Sequence, residues 1–346
     1  MKKFIILIFA IVLFRCPVNA IDFTAPEPPK SAEKYMPYEQ TSFWNDLWII
    51  VQKGLADFSP AFTEAITLCV SIIGVALLVS LLHNFQGISA RTIGMSGALL
   101  TGLMLLKPTK TMVQLGIDTV RQISEYGKLL LPVMASALAA EGGVTTSTAL
   151  YGGTVLFNSV LSTAVVKIIS PLIFVYLSVM ISGAGFSSVA LENIGKSTKW
   201  LMTWTLKCII FLFTGYISIT GVISGATDAA ALKAAKLTIS GVVPVVGSMI
   251  SDASEAVLVS AGLMKNAAGI YGLLAIAAIM IAPFIKIGIQ YLLLKATAGV
   301  CKTFDIKQVA VVVETFSSAM GILLAMTGAV TLLFLINITC CMKGIG

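Results

Sequence analysis

From Ile270 to Leu294 the chain carries a single charged side chain, Lys286, in a run that is otherwise almost wholly apolar. About 20 such residues are enough to cross the hydrocarbon core of a bilayer as a helix, whose backbone groups bond to one another and need no water. Similar runs recur at Phe62 to Leu82, Val155 to Val166 continuing into Ile168 to Ile181, Trp200 to Ile223 and Val309 to Ile338, with a shorter one at Ile93 to Leu106. With 57% hydrophobic and only 11% charged residues, the chain lacks the polar surface a soluble globule needs. The expected fold is therefore an all-α polytopic membrane protein with about five to seven transmembrane helices.

One segment does not fit a simple crossing. Lys236 to Asp252 has an apolar core, Val242 to Ile250, that is too short to span, and Gly241, Pro244 and Gly247 interrupt it. Irregular backbone at membrane depth is tolerated where protein or a watery cavity covers the freed groups. A Pro/Gly-broken re-entrant or interfacial segment is expected there, and a second at Leu129 to Ala140 around Pro132.

The two broken segments lie at a constant offset. Pro132 aligns with Pro244, Pro171 with Pro283 and Ile173 with Ile285 without a gap. This reads as a duplication of residues 109–223 and 224–338, of the kind seen in transporter folds, with two independent proline-containing segments as the alternative. Thr109 to Lys128 carries apolar residues at Val113, Ile117, Val120 and Ile123 with polar ones opposite, the pattern of an amphipathic helix on or near the membrane.

The first twenty residues have the form of a signal peptide: Lys2 and Lys3, an apolar run from Phe4 to Phe14, and Val18-Asn19-Ala20 at the end. Its removal takes Lys2, Lys3 and Arg15 and no acid, so the formal charge falls from +7 to +4. Retention of this segment as a first helix is the alternative. Residues 21–60 change to Pro, Glu, Lys and Tyr and end in Phe43, Trp44 and Trp48, which suits an extracytoplasmic arm leading into an interfacial helix. Residues 61–346 form the polytopic membrane domain. Positive charges are scattered singly, without the basic cluster that tracks phosphate backbones, so no direct nucleic-acid partner is expected.

Nothing in the chain assembles into catalytic machinery. His83 is the sole histidine, and the zinc-protease, P-loop and serine-hydrolase motifs are absent. Neither an enzyme nor a cofactor is expected. The remaining candidates are charged residues within apolar runs, which need a partner or water. Lys207 lies deep in the Trp200 to Ile223 run, where a pair with Glu314 is conceivable. Glu64, Lys167, Lys286 and Glu314 lie nearer segment ends, suited to snorkelling or pairing. Asp252 and Glu255 follow the Val242 to Ile250 segment in a spacing that caps a helix, or that lines a pore mouth if several copies assemble. Pro132, Pro244, Gly247, Asp252, Glu255 and Lys207 are thus the structural or pore-related candidates.

Lys236 to Asp252, Leu263-Met264-Lys265-Asn266-Ala267-Ala268-Gly269, and Leu131-Pro132 with Glu141-Gly142-Gly143-Val144-Thr145 resemble the stage III sporulation protein AE family of endospore-forming bacteria. The similarity runs from about Phe62 to the C-terminus. It implies a multi-pass protein of the mother-cell membrane around the forespore, a component of a sporulation-specific channel or secretion-like complex required for forespore development. Its partners would be other stage III sporulation membrane proteins, the lipid bilayer and further copies of itself. A stand-alone small-solute permease and a scaffold without a conduction role are the alternatives.

Overall fold

The computed structural model describes residues 25–37, 42–83, 89–242, 247–304 and 306–343, with the side chains of residues 83, 90 and 217–265 outside that description. Among the described residues all regular structure is helical, with no strand. A short helix α1 (Lys30–Glu33) precedes α2 (Phe43–Ala56), α3 (Phe58–His83) and α4 (Ala90–Ala140). Then follow α5 (Val144–Ala164), one wide π turn (Val165–Ile169), α6 (Ser170–Phe186), α7 (Val189–Val242), α8 (Gly247–Thr303) and α9 (Lys307–Lys343).

Interhelical contacts set the directions. Gly94 lies beside Gln308, Gly116 beside Leu323 and Met326, and Gly127 beside Phe334, so α4 and α9 run parallel along their lengths. The α5–α6 rod runs back along α4: Ser124 Oγ donates to Asn158 Oδ1 at 2.8 Å, Gly102 meets Ile181, and Arg91 Nη2 donates to the Phe186 carbonyl at 3.3 Å. α7 is antiparallel to that rod, with Tyr216 donating to the Ala149 carbonyl at 2.9 Å and Gly195 against Met180. α8 folds antiparallel onto α9, where Ser317 Oγ donates to the Tyr291 carbonyl at 3.1 Å. The result is a long bundle built around α9, which touches α4, α5, α6, α7 and α8. Its buried stripe of Val313, Phe316, Met320, Leu323, Phe334 and Ile338 is fully or almost fully excluded from solvent.

Four stretches among the described residues are long and apolar enough to cross a membrane: Phe43–Leu82, Val144–Phe186, Asn266–Thr303 and Lys307–Met342. This is fewer than the five to seven expected. Ile93 to Leu106 is the first third of α4, whose next turns carry Lys107 and Lys110, and Trp200 to Ile223 runs past the last described side chain of α7. The apolar stripe of Thr109 to Lys128 is helical as expected, but it is core: Val113, Val120 and Ile123 are buried.

The reading of Leu129 to Ala140 as a broken segment is corrected. Pro132 lies inside α4, which passes through it without interruption. A mid-helix proline forfeits one hydrogen bond and costs about 3 kcal/mol. The flanking Leu130, Leu131 and Met134 are buried, and each such side chain is worth about 1.5–3 kcal/mol, so packing outweighs the defect. The chain reverses instead at Glu141-Gly142-Gly143, where Gly142 has φ 103°, a backbone region that favours glycine. Pro171 is accommodated differently, in the first turn of α6 directly after the π turn. For Lys236 to Asp252, α7 extends to Val242 and α8 begins at Gly247, while residues 243–246, Pro244 among them, lie outside the described residues. The signal-peptide segment 1–20 lies outside them as well.

Candidate functional site

Helices longer than a bilayer is thick must change surface character along their length. At about 1.5 Å per residue α4 is roughly 75 Å long, against about 30 Å of hydrocarbon. Its outer face changes at one point. Leu99, Leu100, Leu103 and Leu106 are 40–68% exposed, and after them Lys107, Lys110, Gln114, Arg121, Glu125 and Lys128 are exposed, with Thr111 among them and Leu129 (60%) directly after. These follow the three- and four-residue spacing of one helix face. Gln114 Nε2 donates to Asp118 Oδ1 at 3.0 Å, and Arg121 lies 3.8 Å from the same carboxylate, so the stripe is partly knitted along itself.

The other flank has the opposite character at the same height. Beside Ser124 stand Asn158 of α5 and, through the Gly153–Tyr216 contact, the neighbourhood of Phe211 on α7. There α5 exposes Leu156 (57%) and α7 exposes Phe211 (78%) and Leu212 (60%).

Next to the charged stripe an open groove of about 680 Å³ runs between α3, α4 and α8. Asp57, Glu64, Thr67 and Ser71 face it from α3 and the turn before it, Pro108 and Thr111 from α4, and Lys286 and Gln290 from α8. The hydroxyls of Thr63, Thr67 and Ser71 donate to carbonyls one turn back, at 2.7–2.9 Å, so they are satisfied locally. Asp57 is claimed by the arm: Lys34 Nζ lies 2.9 Å from it and the Tyr35 hydroxyl donates to it. The Tyr35 hydroxyl, followed by Asp57, holds the Lys34 ammonium above its ordinary pKa. Glu64 and Lys286 make no ion pair among the described residues. The arm thus docks on the bundle, with Ala32, Tyr35 and Met36 buried, and closes one end of the groove.

Lys207 occupies a second groove, of about 380 Å³, between α7, α8 and α9. It is exposed and does not pair with Glu314, which instead holds Lys295 at 2.9 Å and Lys302 at 2.7 Å. Helix register, invisible in the sequence, decides this: α8 lies antiparallel against α9 and brings its own lysines to Glu314. Lys167 is exposed on the π turn. Asp252 and Glu255 fall within the second turn and beyond of α8, and their side chains, like that of Gly247 at its start, are outside the description. Pro132 is exposed on α4, away from both grooves.

Three amides escaped a search confined to ionisable groups. Asn158, Gln290 and Asn337 are all buried within apolar runs, and an amide in such a run is itself the signal. Asn158 bonds Ser124, Gln290 borders the large groove, and Asn337 accepts from the Cys341 thiol at 3.4 Å. Among the described residues no group of His, Cys, Asp and Glu side chains could hold a metal ion.

No solved structure matches this chain. A stage III sporulation protein AE of Bacillus subtilis (strain 168) is 23% identical over 238 residues, covering 68% of this chain and 59% of its own length. Residues 39–344 match the family described as stage III sporulation protein AE. The match takes in all the long helices and the lining of both grooves apart from Lys34, and the chain belongs to the stage III sporulation protein AE family.

Proposed function

We propose that this chain is a membrane component of a sporulation-specific channel or secretion-like complex that links mother cell and forespore, working in the mother-cell membrane around the forespore. One observation carries the reading: at the height of the Ser124–Asn158 hydrogen bond, α4 turns charges outward where α5 and α7 turn Leu156 and Phe211 outward. A charged side chain at the bilayer centre costs about 2.5–3.5 kcal/mol, so a stripe of them is kept where water or a partner faces it. Further copies, or the sibling stage III membrane proteins, would complete an aqueous passage against α4. The role requires no catalytic residue, no cofactor and no nucleic acid.

The test uses sporulating cells carrying a cysteine-free version with single cysteines at Gln114, Arg121, Leu156 or Phe211. A membrane-impermeant thiol reagent labels Gln114→Cys and Arg121→Cys, and that labelling blocks forespore development. Leu156→Cys and Phe211→Cys stay unlabelled. Development that proceeds unaffected with the stripe fully labelled sinks the proposal and favours a scaffold without conduction. The large groove, where Glu64 and Lys286 have no ion-pair partner among the described residues, favours a second reading, a stand-alone permease. Saturable uptake of one solute by the purified protein in vesicles would establish it.

A further inference from the structure

We propose that the groove between α7, α8 and α9 is a binding site for the phosphate-bearing headgroup of an anionic phospholipid. Its polar end gathers Lys199 from α7 and Lys295 from α8, together with Ser317 and Ser318 from α9, and Lys207 lines the same groove about two turns further along α7. Lys199 Nζ lies 3.1 Å from Ser318 Oγ and has no carboxylate partner among the described residues, and neither has Lys207. The carboxylate at the rim, Glu314, is shared between Lys295 and Lys302. Positive charge is therefore in excess, and lysines from two helices, α7 and α8, line one groove. A phosphodiester meets that excess with oxygens that accept from several donors at once.

The groove also has the polarity of a phospholipid from end to end. α7 and α9 run in the same direction here, as the Lys199–Ser318 contact and the shared lining from Leu206 to Ile210 and from Gly321 to Ala325 require. Lys199, Lys295 and the serines thus lead past Lys207 into Ile210, Ile322 and Ala325, and then to the exposed Phe211 and Leu212. Depth is marked independently. On α7 the Glu192–Lys196 ion pair, at 2.8 Å, gives way one turn later to Trp200 and Trp204, which are 63% and 51% exposed and stack with ring centroids 6.0 Å apart. Exposed tryptophans of this kind sit at headgroup level. The phosphate end then lies at Lys199 and Lys295, and an acyl chain follows Ile210 and Ile322 inward.

Each lysine near an anionic membrane surface is worth a factor of about five in affinity. The double variant Lys199→Gln/Lys207→Gln is therefore expected to lower the preference for phosphatidylglycerol over phosphatidylcholine by about tenfold or more. The measurement is lipid partitioning to the purified full-length protein in vesicles of mixed composition, with Lys167→Gln, an exposed lysine outside the groove, retaining the wild-type preference. A double variant that keeps the full preference overturns the assignment. So does thermal stabilisation of the detergent-solubilised protein by inorganic phosphate to the same extent as by phosphatidylglycerol, which would make the ligand a free phosphate. If the double variant fails to fold, the wild-type groove is read in a Trp44→Phe/Trp48→Phe background. Brominated phosphatidylglycerol then quenches Trp200 and Trp204 at a lower mole fraction than brominated phosphatidylcholine, and equal quenching refutes the site.

Discussion

Gly127 offers the sharpest test of the packing between α4 and α9. A methyl group placed on its Cα falls onto the ring of Phe334, whose Cδ1 lies 3.0 Å away and whose Cε1 and Cζ lie closer still. Phe334 is fully buried, so the ring has nowhere to swing. Alanine in place of glycine within a helix gains up to about 1 kcal/mol from backbone propensity. Overpacking a closed core costs about 1–3 kcal/mol, and this overlap belongs at the upper end. Gly127→Ala is therefore expected to destabilise by about 1–2 kcal/mol net. Gly152 is the control: nothing stands within 4 Å of its added methyl, so Gly152→Ala should raise stability by up to about 1 kcal/mol. Thermal unfolding of the full-length protein in detergent, followed by far-ultraviolet circular dichroism, reads both. Phe334→Leu makes room, and Gly127→Ala/Phe334→Leu should lose less than the two single variants together by about 1 kcal/mol. Additivity within about 0.3 kcal/mol, or a Gly127→Ala protein as stable as the wild type, would refute the parallel register of α4 and α9.

Other substitutions probe separate parts of the bundle. Pro132→Ala restores a donor for the Lys128 carbonyl and should raise stability by about 1–3 kcal/mol, and a loss would show that the helix exploits the proline as a kink. Asn158→Leu removes the bond from Ser124 and strands a buried hydroxyl, at a cost of about 1–2 kcal/mol measured by the same unfolding assay; a neutral result would place Asn158 away from Ser124. Glu314→Gln releases both Lys295 and Lys302. Because the carboxylate is 36% exposed the loss should stay near about 1 kcal/mol, and a much larger fall would reveal a site drier than the structure gives.

The helical character of the chain and its core-facing stripes were legible because they are local. Val113, Val120 and Ile123 declare one buried face through spacing alone, and Phe62 to Leu82 or Val309 to Ile338 declare helices through unbroken apolarity. What failed was whatever depends on neighbours. Pro132 looked like a breaker because the burial of Leu130 and Met134 that carries the helix through it is tertiary. A Lys207–Glu314 pair stayed open in the sequence because nothing there reports that α8 brings Lys295 and Lys302 nearer. The charged stripe of α4 was visible as an amphipathic pattern, yet its meaning rests on what α5 and α7 expose beside it.

That comparison constrains how the bundle can sit in a membrane. If the helices stood upright, with Leu156 and Phe211 in lipid, then Arg121, Glu125 and Lys128 would lie at the same depth, because the Ser124–Asn158 bond ties the two faces together. Adding Lys107, Lys110 and Asp118, the cost of leaving the whole stripe in hydrocarbon is on the order of 15 kcal/mol, as large as the entire stability of a typical domain. The stripe is therefore not lipid-facing. Two arrangements satisfy this. A steeply tilted bundle leaves α4 beyond Lys107 in water, with its apolar band at Leu99 to Leu106 displaced along the axis from that of α5 and α7. An upright bundle has the stripe covered by a neighbour or a passage. They differ in one observable. Tilt exposes Arg121→Cys to an impermeant reagent equally in isolated protein in vesicles and in sporangia, whereas a shared passage makes its accessibility change when the surrounding complex assembles.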